Sequence, residues 1–256
     1  MKRKTTQLRP DGLRGTLRAL VGGALIAGAA LAAPAQAGVI TFEGGAGSTA
    51  HGDAVTQAGY EIGFFSNAVG ATSDDAVGAF IDGSDAGSCV AGSCPVNDPG
   101  TYYAALNDSY LDIVSLDGGL FSVKSFDAGF IGSYPSGTSY PTIPGLVRIQ
   151  GFFADGTSTY ETYQLSGPSN NNFYFDHFAP SAAFSALQFA EVAIFGFACG
   201  NDGNCQAFST NRAQFGIDNI ELAAAPAAGE VPEPGSALLV GLGLAGLAAR
   251  VRRRKA

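Results

Sequence analysis

The 256-residue chain has no tryptophan, one methionine and two histidines, and almost no positive charge outside its two ends. Each scarcity excludes something. Neither His51 nor His177 has a second His or Cys at metal-ligand spacing, and no His-Glu-x-x-His pattern occurs, which removes the common zinc hydrolases. No Gly-x-Ser-x-Gly elbow is present to seat a serine nucleophile. The Gly44-Gly45-x-Gly47 run follows a short strand and opens no amphipathic helix, so it is not a phosphate loop. Residues 38–231 carry only Lys124, Arg148 and Arg212 against twenty acidic side chains, a net charge of −17 hidden within a whole-chain value of −8. A body of this sign repels phosphate backbones, so nucleic acid is excluded as a partner. It suits a soluble exported domain, and carboxylates in excess can hold hard cations such as Ca²⁺.

Long apolar runs are also missing. A basic stretch ending at Arg18 precedes an apolar run from Ala19 to Ala33, then Pro34-Ala35-Gln36-Ala37. That order predicts a secretory signal over residues 1–37, cut by signal peptidase after Ala37 with Ala35 and Ala37 as the small residues it reads. The run is short for a span of about 20 residues, which argues against an uncleaved membrane helix. At the other end, Val231-Pro232-Glu233-Pro234 lies in a linker (225–235), followed by an apolar helix (236–249) and a basic tail (250–256). The basic tail is expected on the cytoplasmic side of a membrane.

Four cysteines fall into two tight pairs, Cys89 with Cys94 and Cys199 with Cys205, each around a Gly-containing loop. Four cysteines allow three connectivities; sequence neighbours and an oxidising compartment predict local disulfides. The competing Cys₄ zinc site would need spacings of four and five intervening residues, against the usual two to four.

Between the ends, residues 38–224 read as one all-β domain. Phe and Tyr recur in short runs separated by Gly, Asp, Ser and Pro, the pattern of a sandwich or barrel. Strands are expected over 39–43, 60–66, 120–131, 146–154, 158–165, 184–191, 192–198 and 213–222. Asp155-Gly156 predicts a hairpin, with Val147, Ile149, Gly151 and Phe153 on one face and Arg148 and Gln150 on the other. In the last strand Phe215 and Ile217 share one parity, but Ile220 and Leu222 have the other. Side chains alternate with period two, so an extra residue near Asp218-Asn219 is required: a β-bulge.

The Val-Pro-Glu-Pro run, apolar helix and arginine cluster resemble a PEP-CTERM sorting domain, the tail recognised by exosortase-type transpeptidases of Gram-negative bacteria that make extracellular polysaccharide. The resemblance covers roughly residues 231–255. It implies that the helix holds the protein transiently in the inner membrane and that exosortase cuts near Pro232-Glu233-Pro234, leaving the body at the cell surface or outside. Gln214-Phe215-Gly216-Ile217-Asp218 is similar to the QFxxD signature of one subgroup. Ile40-Thr41-Phe42-Glu43 and Gly216-Ile217-Asp218-Asn219-Ile220-Glu221-Leu222 resemble the first and last strands of jelly-roll carbohydrate-binding modules. That second likeness implies a β-sandwich in which Glu43 and Asp218 share a structural Ca²⁺.

The expected function is therefore an exported, exosortase-processed surface or biofilm-matrix protein with a structural or adhesive, non-catalytic role. The first alternative is a carbohydrate-binding module for exopolysaccharide, with Tyr102, Tyr103, Tyr134 and Tyr140 as sugar-contacting rings; the absence of Trp weighs against it. A glycan-active enzyme is the weaker alternative, because two carboxylates suffice for one and twenty are present.

Overall fold

The structure, a computed structural model, describes residues 37–89, 92–132 and 139–225. The predicted sorting helix therefore lies outside the described residues, as do Ala35, Tyr134 and Val231 to Pro234. Among the described residues no helix is long and apolar enough to cross a membrane.

Two antiparallel sheets of seven strands form a β-sandwich. The first runs, in spatial order, β11 (Asp176–Phe178), β8 (Phe121–Phe130), β14 (Phe215–Ala224), β6 (Thr101–Ala105), β5 (Ala76–Asp82) and β2 (Ser48–Ala50). The opening strand β1 (Ala37–Ile40) also pairs with β14, so the first and last strands are neighbours. The second sheet runs β10 (Ser158–Leu165), β9 (Gly145–Phe152), β12 (Glu191–Cys199), β7 (Ser109–Ser115), β4 (Tyr60–Ser66) and β3 (Asp53–Gln57). The two-residue β13 (Cys205–Gln206) adds to the end of β12.

Aromatic and branched side chains from both inner faces fill one core. Ile62, Phe64, Ile113, Ile149 and Ile194 of the second sheet meet Tyr103, Phe121, Phe126, Phe215 and Ile217 of the first, all fully buried. Tyr103 stacks on Phe64 at 4.2 Å, and its hydroxyl bonds to Thr49 Oγ1 at 2.8 Å, so its one polar atom is satisfied inside. The β9–β10 hairpin forms at Asp155-Gly156 with Gly156 at φ 82°, and Arg148 and Gln150 lie on the face away from the core.

The bulge required by parity is present. Asp218 pairs with Asp127, but Glu221 pairs with Ser125, so β14 carries one residue more than β8 across this step. Asn219 absorbs it with φ 51°, and Phe215, Ile217, Ile220 and Leu222 all reach the core. The expected strand over 184–191 is a correction. Ser181 Oγ accepts the Phe184 N–H and caps a short helix, α1 (Ala182–Ser185), and the next strand begins only at Glu191.

Both cysteine pairs are disulfides, Cys89–Cys94 and Cys199–Cys205, which leaves no thiolate for a zinc site. The second joins β12 to β13 directly, as Cys199 and Cys205 face each other in register.

Candidate carboxylate cluster and open aromatic face

Residues 92–98 lie over the outer face of the first sheet. Ser93 exchanges backbone hydrogen bonds with Gly132, and Val96 donates to the Phe173 carbonyl. Asn97 then clamps Phe175 from both sides: its amide donates to the Phe175 carbonyl at 3.0 Å, and its Oδ1 accepts the Phe175 N–H at 2.6 Å. Cys94, Tyr102, Ile131 and Phe175 make a small second core beneath this cover. Gly129 and Gly216, opposite each other in β8 and β14, allow the close approach. A Cβ on Gly129 would lie 2.7 Å from both Pro95 Cγ and the Tyr174 carbonyl; on Gly216 it would meet the Phe175 ring at 2.9 Å.

This packing carries Asp98 to the next cross-strand pair along the same face, Asp127 and Asp218. Asp218 is only 4 % exposed, and its Oδ1 has no hydrogen-bond partner. Burial first, and then the Asp98 and Asp127 carboxylates, push its pKa up to about 8; it also shares a hydrogen bond with Asp98. At neutral pH Asp218 is therefore a protonated donor to Asp98. Asp127 is held by His177 Nδ1 at 2.7 Å and by the Asn219 amide at 2.9 Å. On the other side of Gly100, Glu43 Oε1 accepts the Thr101 N–H at 3.1 Å. A Cβ on Gly100 would lie 2.6 Å from that oxygen and 3.2 Å from Asp98 Oδ1, so the two carboxylates border one point. Among the described residues no group of three or more His, Cys, Asp or Glu is arranged to hold a metal ion.

The second sheet leaves its outer face open. Register places Thr162, Arg148, Phe195, Tyr110 and Phe65 in one row across five strands. The Arg148 guanidinium lies 4.0 Å from the centre of the Tyr160 ring and 4.7 Å from that of Phe197, and its Nε donates to Thr162 Oγ1 at 3.0 Å. Phe208 packs on Phe195 at 5.0 Å, and Phe65 stacks on Tyr110 at 5.5 Å. His51 stands edge-on to Phe65, its Nδ1 accepting the Ser66 N–H. Beside the row sits Asp112, with an unpartnered Oδ1. Burial, reinforced by Glu191, pushes the Asp112 pKa up to about 7, and the two share a hydrogen bond.

Residues 230–254 match the PEP-CTERM protein-sorting motif. The chain carries a PEP-CTERM sorting domain. No curated protein matches the chain. Among solved structures it is similar to a DUF4465 family protein from Bacteroides ovatus (12 % identity, TM-score 0.41, 74 % of this chain and 99 % of that one). It is also similar to TmCBM61, solved with beta-1,4-galactotriose (9 %, 0.32, 64 % and 88 %), and to the CBM22-2 xylan-binding domain of Paenibacillus barcinonensis Xyn10C (9 %, 0.29, 73 % and 98 %).

Within the body the sequence-predicted residues scatter. Glu43 and Asp218 come to one end of the first sheet, with Asp98 between them as the residue that sequence reasoning missed. Tyr102 and Tyr103 are corrected: at 1 % and 0 % exposure they are core residues on opposite faces of β6, and neither offers a ring to a sugar. Tyr140 packs edge-on against Phe130 and Phe173. The most exposed ring among the described residues, Tyr160, lies on the second sheet, beside the partly exposed Phe65, Tyr110 and Phe197. Strand alternation at Tyr160, Phe195 and Phe197 was the available signal, but five strands must be paired before the row exists.

Proposed function

We propose that the chain is an exported surface protein with a non-catalytic, structural or adhesive body. Signal peptidase removes residues 1–37, helix 236–249 anchors the protein transiently with the basic tail 250–256 inside, and exosortase cuts near Pro232-Glu233-Pro234. The body, residues 38–224, remains at the cell surface or in the biofilm matrix. The sorting motif over 230–254 is the observation that carries this reading. Intact-mass spectrometry of protein recovered from the cell surface tests it. The expected mass lacks both ends and two hydrogen atoms per disulfide; a full-length, reduced chain refutes it.

A second reading, in which the body binds polysaccharide, is favoured by the open row of rings on the second sheet. The cation expected at Glu43 and Asp218 is a separate proposal. The unpartnered Oδ1 of Asp218 and the approach of Asp98 to both residues support it, and the absence of a metal-holding group of three or more His, Cys, Asp or Glu among the described residues opposes it. A Ca²⁺ titration decides between them.

A further inference from the structure

We propose that the open face of the second sheet, from Tyr160 and Arg148 past Phe197 and Tyr110 to Phe65, binds a neutral polysaccharide chain. This rests on the adhesive, polysaccharide-binding reading above and gives it a site and a ligand chemistry.

Three features of the face decide the class of ligand. The first is flat apolar area at an accessible height. Tyr160 is 55 % exposed, and Phe65, Tyr110, Phe197 and Phe208 are each partly exposed. Such rings present electron-rich faces that suit the C–H-bearing faces of pyranose rings. The row crosses four inter-strand intervals, on the order of 19 Å, so it accommodates several sugar units in sequence. The second feature is hydrogen-bonding capacity without a partner. Arg148 uses one of its five N–H groups on Thr162 and forms no ion pair among the described residues, and Glu61, Thr162 and Gln164 are exposed on the same face. A dry protein interface would strand these groups; a hydroxyl-rich ligand supplies both donors and acceptors. The third feature is charge. Arg148 shares this face with Asp112, Glu191 and Glu61 within a body of net −17, which repels polyanions and leaves an uncharged chain as the complementary ligand.

Arg148 is a positioning residue as well as a donor. Clamped between Tyr160 and Phe197, it holds both rings in place, which lowers the ordering cost of binding.

The test uses processed protein recovered from the cell surface. Probes are cello-, xylo-, manno- and β-1,4-galacto-oligosaccharides of three to six units, with oligogalacturonate as the acidic comparison. Saturable binding is expected for at least one neutral series, tightening from trimer to hexamer and changing little with salt. Tyr160→Ala weakens that binding about five- to tenfold, and Tyr160→Phe restores it, because the ring and not the hydroxyl makes the contact. Arg148→Gln weakens it similarly, whereas Val69→Ala, at a fully exposed site, leaves it unchanged. Unaltered melting temperatures show that the exposed-residue variants fold. The proposal is overturned if no neutral series binds at millimolar concentration, if oligogalacturonate binds most tightly, or if Tyr160→Ala has no effect. The same result follows if Tyr160 is occluded by a second copy in solution. In all four cases the mass spectrum of the processed chain still tests sorting independently.

Discussion

Replacing Asp218 by Asn should stabilise the body, and more so as pH rises. Asp218 is buried, has Asp98 and Asp127 as neighbours, and holds its proton to about pH 8 against an ordinary value of 3.8. Between those values the native state binds a proton that the unfolded chain has released. The slope of stability with pH is therefore negative across that window and levels off above it. At about 1.4 kcal/mol per decade of proton affinity, the gap of roughly four decades sets a ceiling near 6 kcal/mol. Glu43 is exposed and His177 is 67 % exposed at the margins of the cluster, so solvent screening reduces this to about 2 kcal/mol at pH 8. The amide of Asp218→Asn keeps the size of the carboxyl and donates to Asp98 as the protonated acid does. For a domain of this size, 2 kcal/mol corresponds to a melting temperature higher by about 4–8 °C at pH 8. At pH 4, where Asp218 is protonated in the folded state and about half protonated in the unfolded chain, the two proteins should melt nearly together. The assay is near-ultraviolet circular dichroism melting of the processed protein from pH 4 to 8, with EDTA present throughout. If Asp218→Asn melts at or below the wild type at pH 8, burial and like-charge repulsion do not govern this carboxyl and the reasoning is wrong.

Two further outcomes follow from the same region. With millimolar Ca²⁺ in place of EDTA at pH 7.5, a cation held by Asp218 and Glu43 should raise the wild-type melting temperature by several degrees and leave Asp218→Asn unmoved; identical wild-type curves in the two buffers reject the cation. Gly129→Ala should destabilise by about 1–3 kcal/mol, because its Cβ would sit 2.7 Å from the Tyr174 carbonyl, a backbone atom tied down by Asn97 through the next residue. Urea titration would measure this, and an unchanged midpoint would mean that the cover over the first sheet is not closely packed.

What could be read from the chain was whatever local alternation encodes. Parity alone placed the bulge at Asp218-Asn219, since four apolar side chains on one strand cannot share a face without an extra residue, and Asn219 supplies it in the left-handed region. Asp155-Gly156 located its hairpin because the turn chemistry lies within two residues. Strands β5 and β6 were missed for the converse reason. Ala76–Asp82 and Thr101–Ala105 are rich in Ala and Gly, whose small side chains blur the contrast between faces. Helix α1 was misread as strand because Phe184 is buried in either geometry, and only the Ser181 cap distinguishes them.

The two candidate sites were legible to different degrees because their residues are brought together at different levels of structure. Asp218 stood out because the bulge that aims it is a local feature, whereas Asp98 reaches it only after residues 92–98 fold over the sheet and Asn97 fastens Phe175, 78 positions along the chain. The aromatic face is more remote still. Thr162, Arg148, Phe195, Tyr110 and Phe65 come from five strands whose spatial order, β10-β9-β12-β7-β4, departs from chain order, so no window of sequence contains the row. Tyr102-Tyr103, by contrast, formed a conspicuous aromatic pair in the sequence. On a strand, adjacent residues face opposite sides, and here both sides of β6 are covered, one by the main core and the other by the second core under residues 92–98. A ring is available to a ligand only where its strand face lacks a covering layer, and in this sandwich that condition is met on the second sheet, where Arg148 is stacked among rings at the surface of an otherwise acidic body.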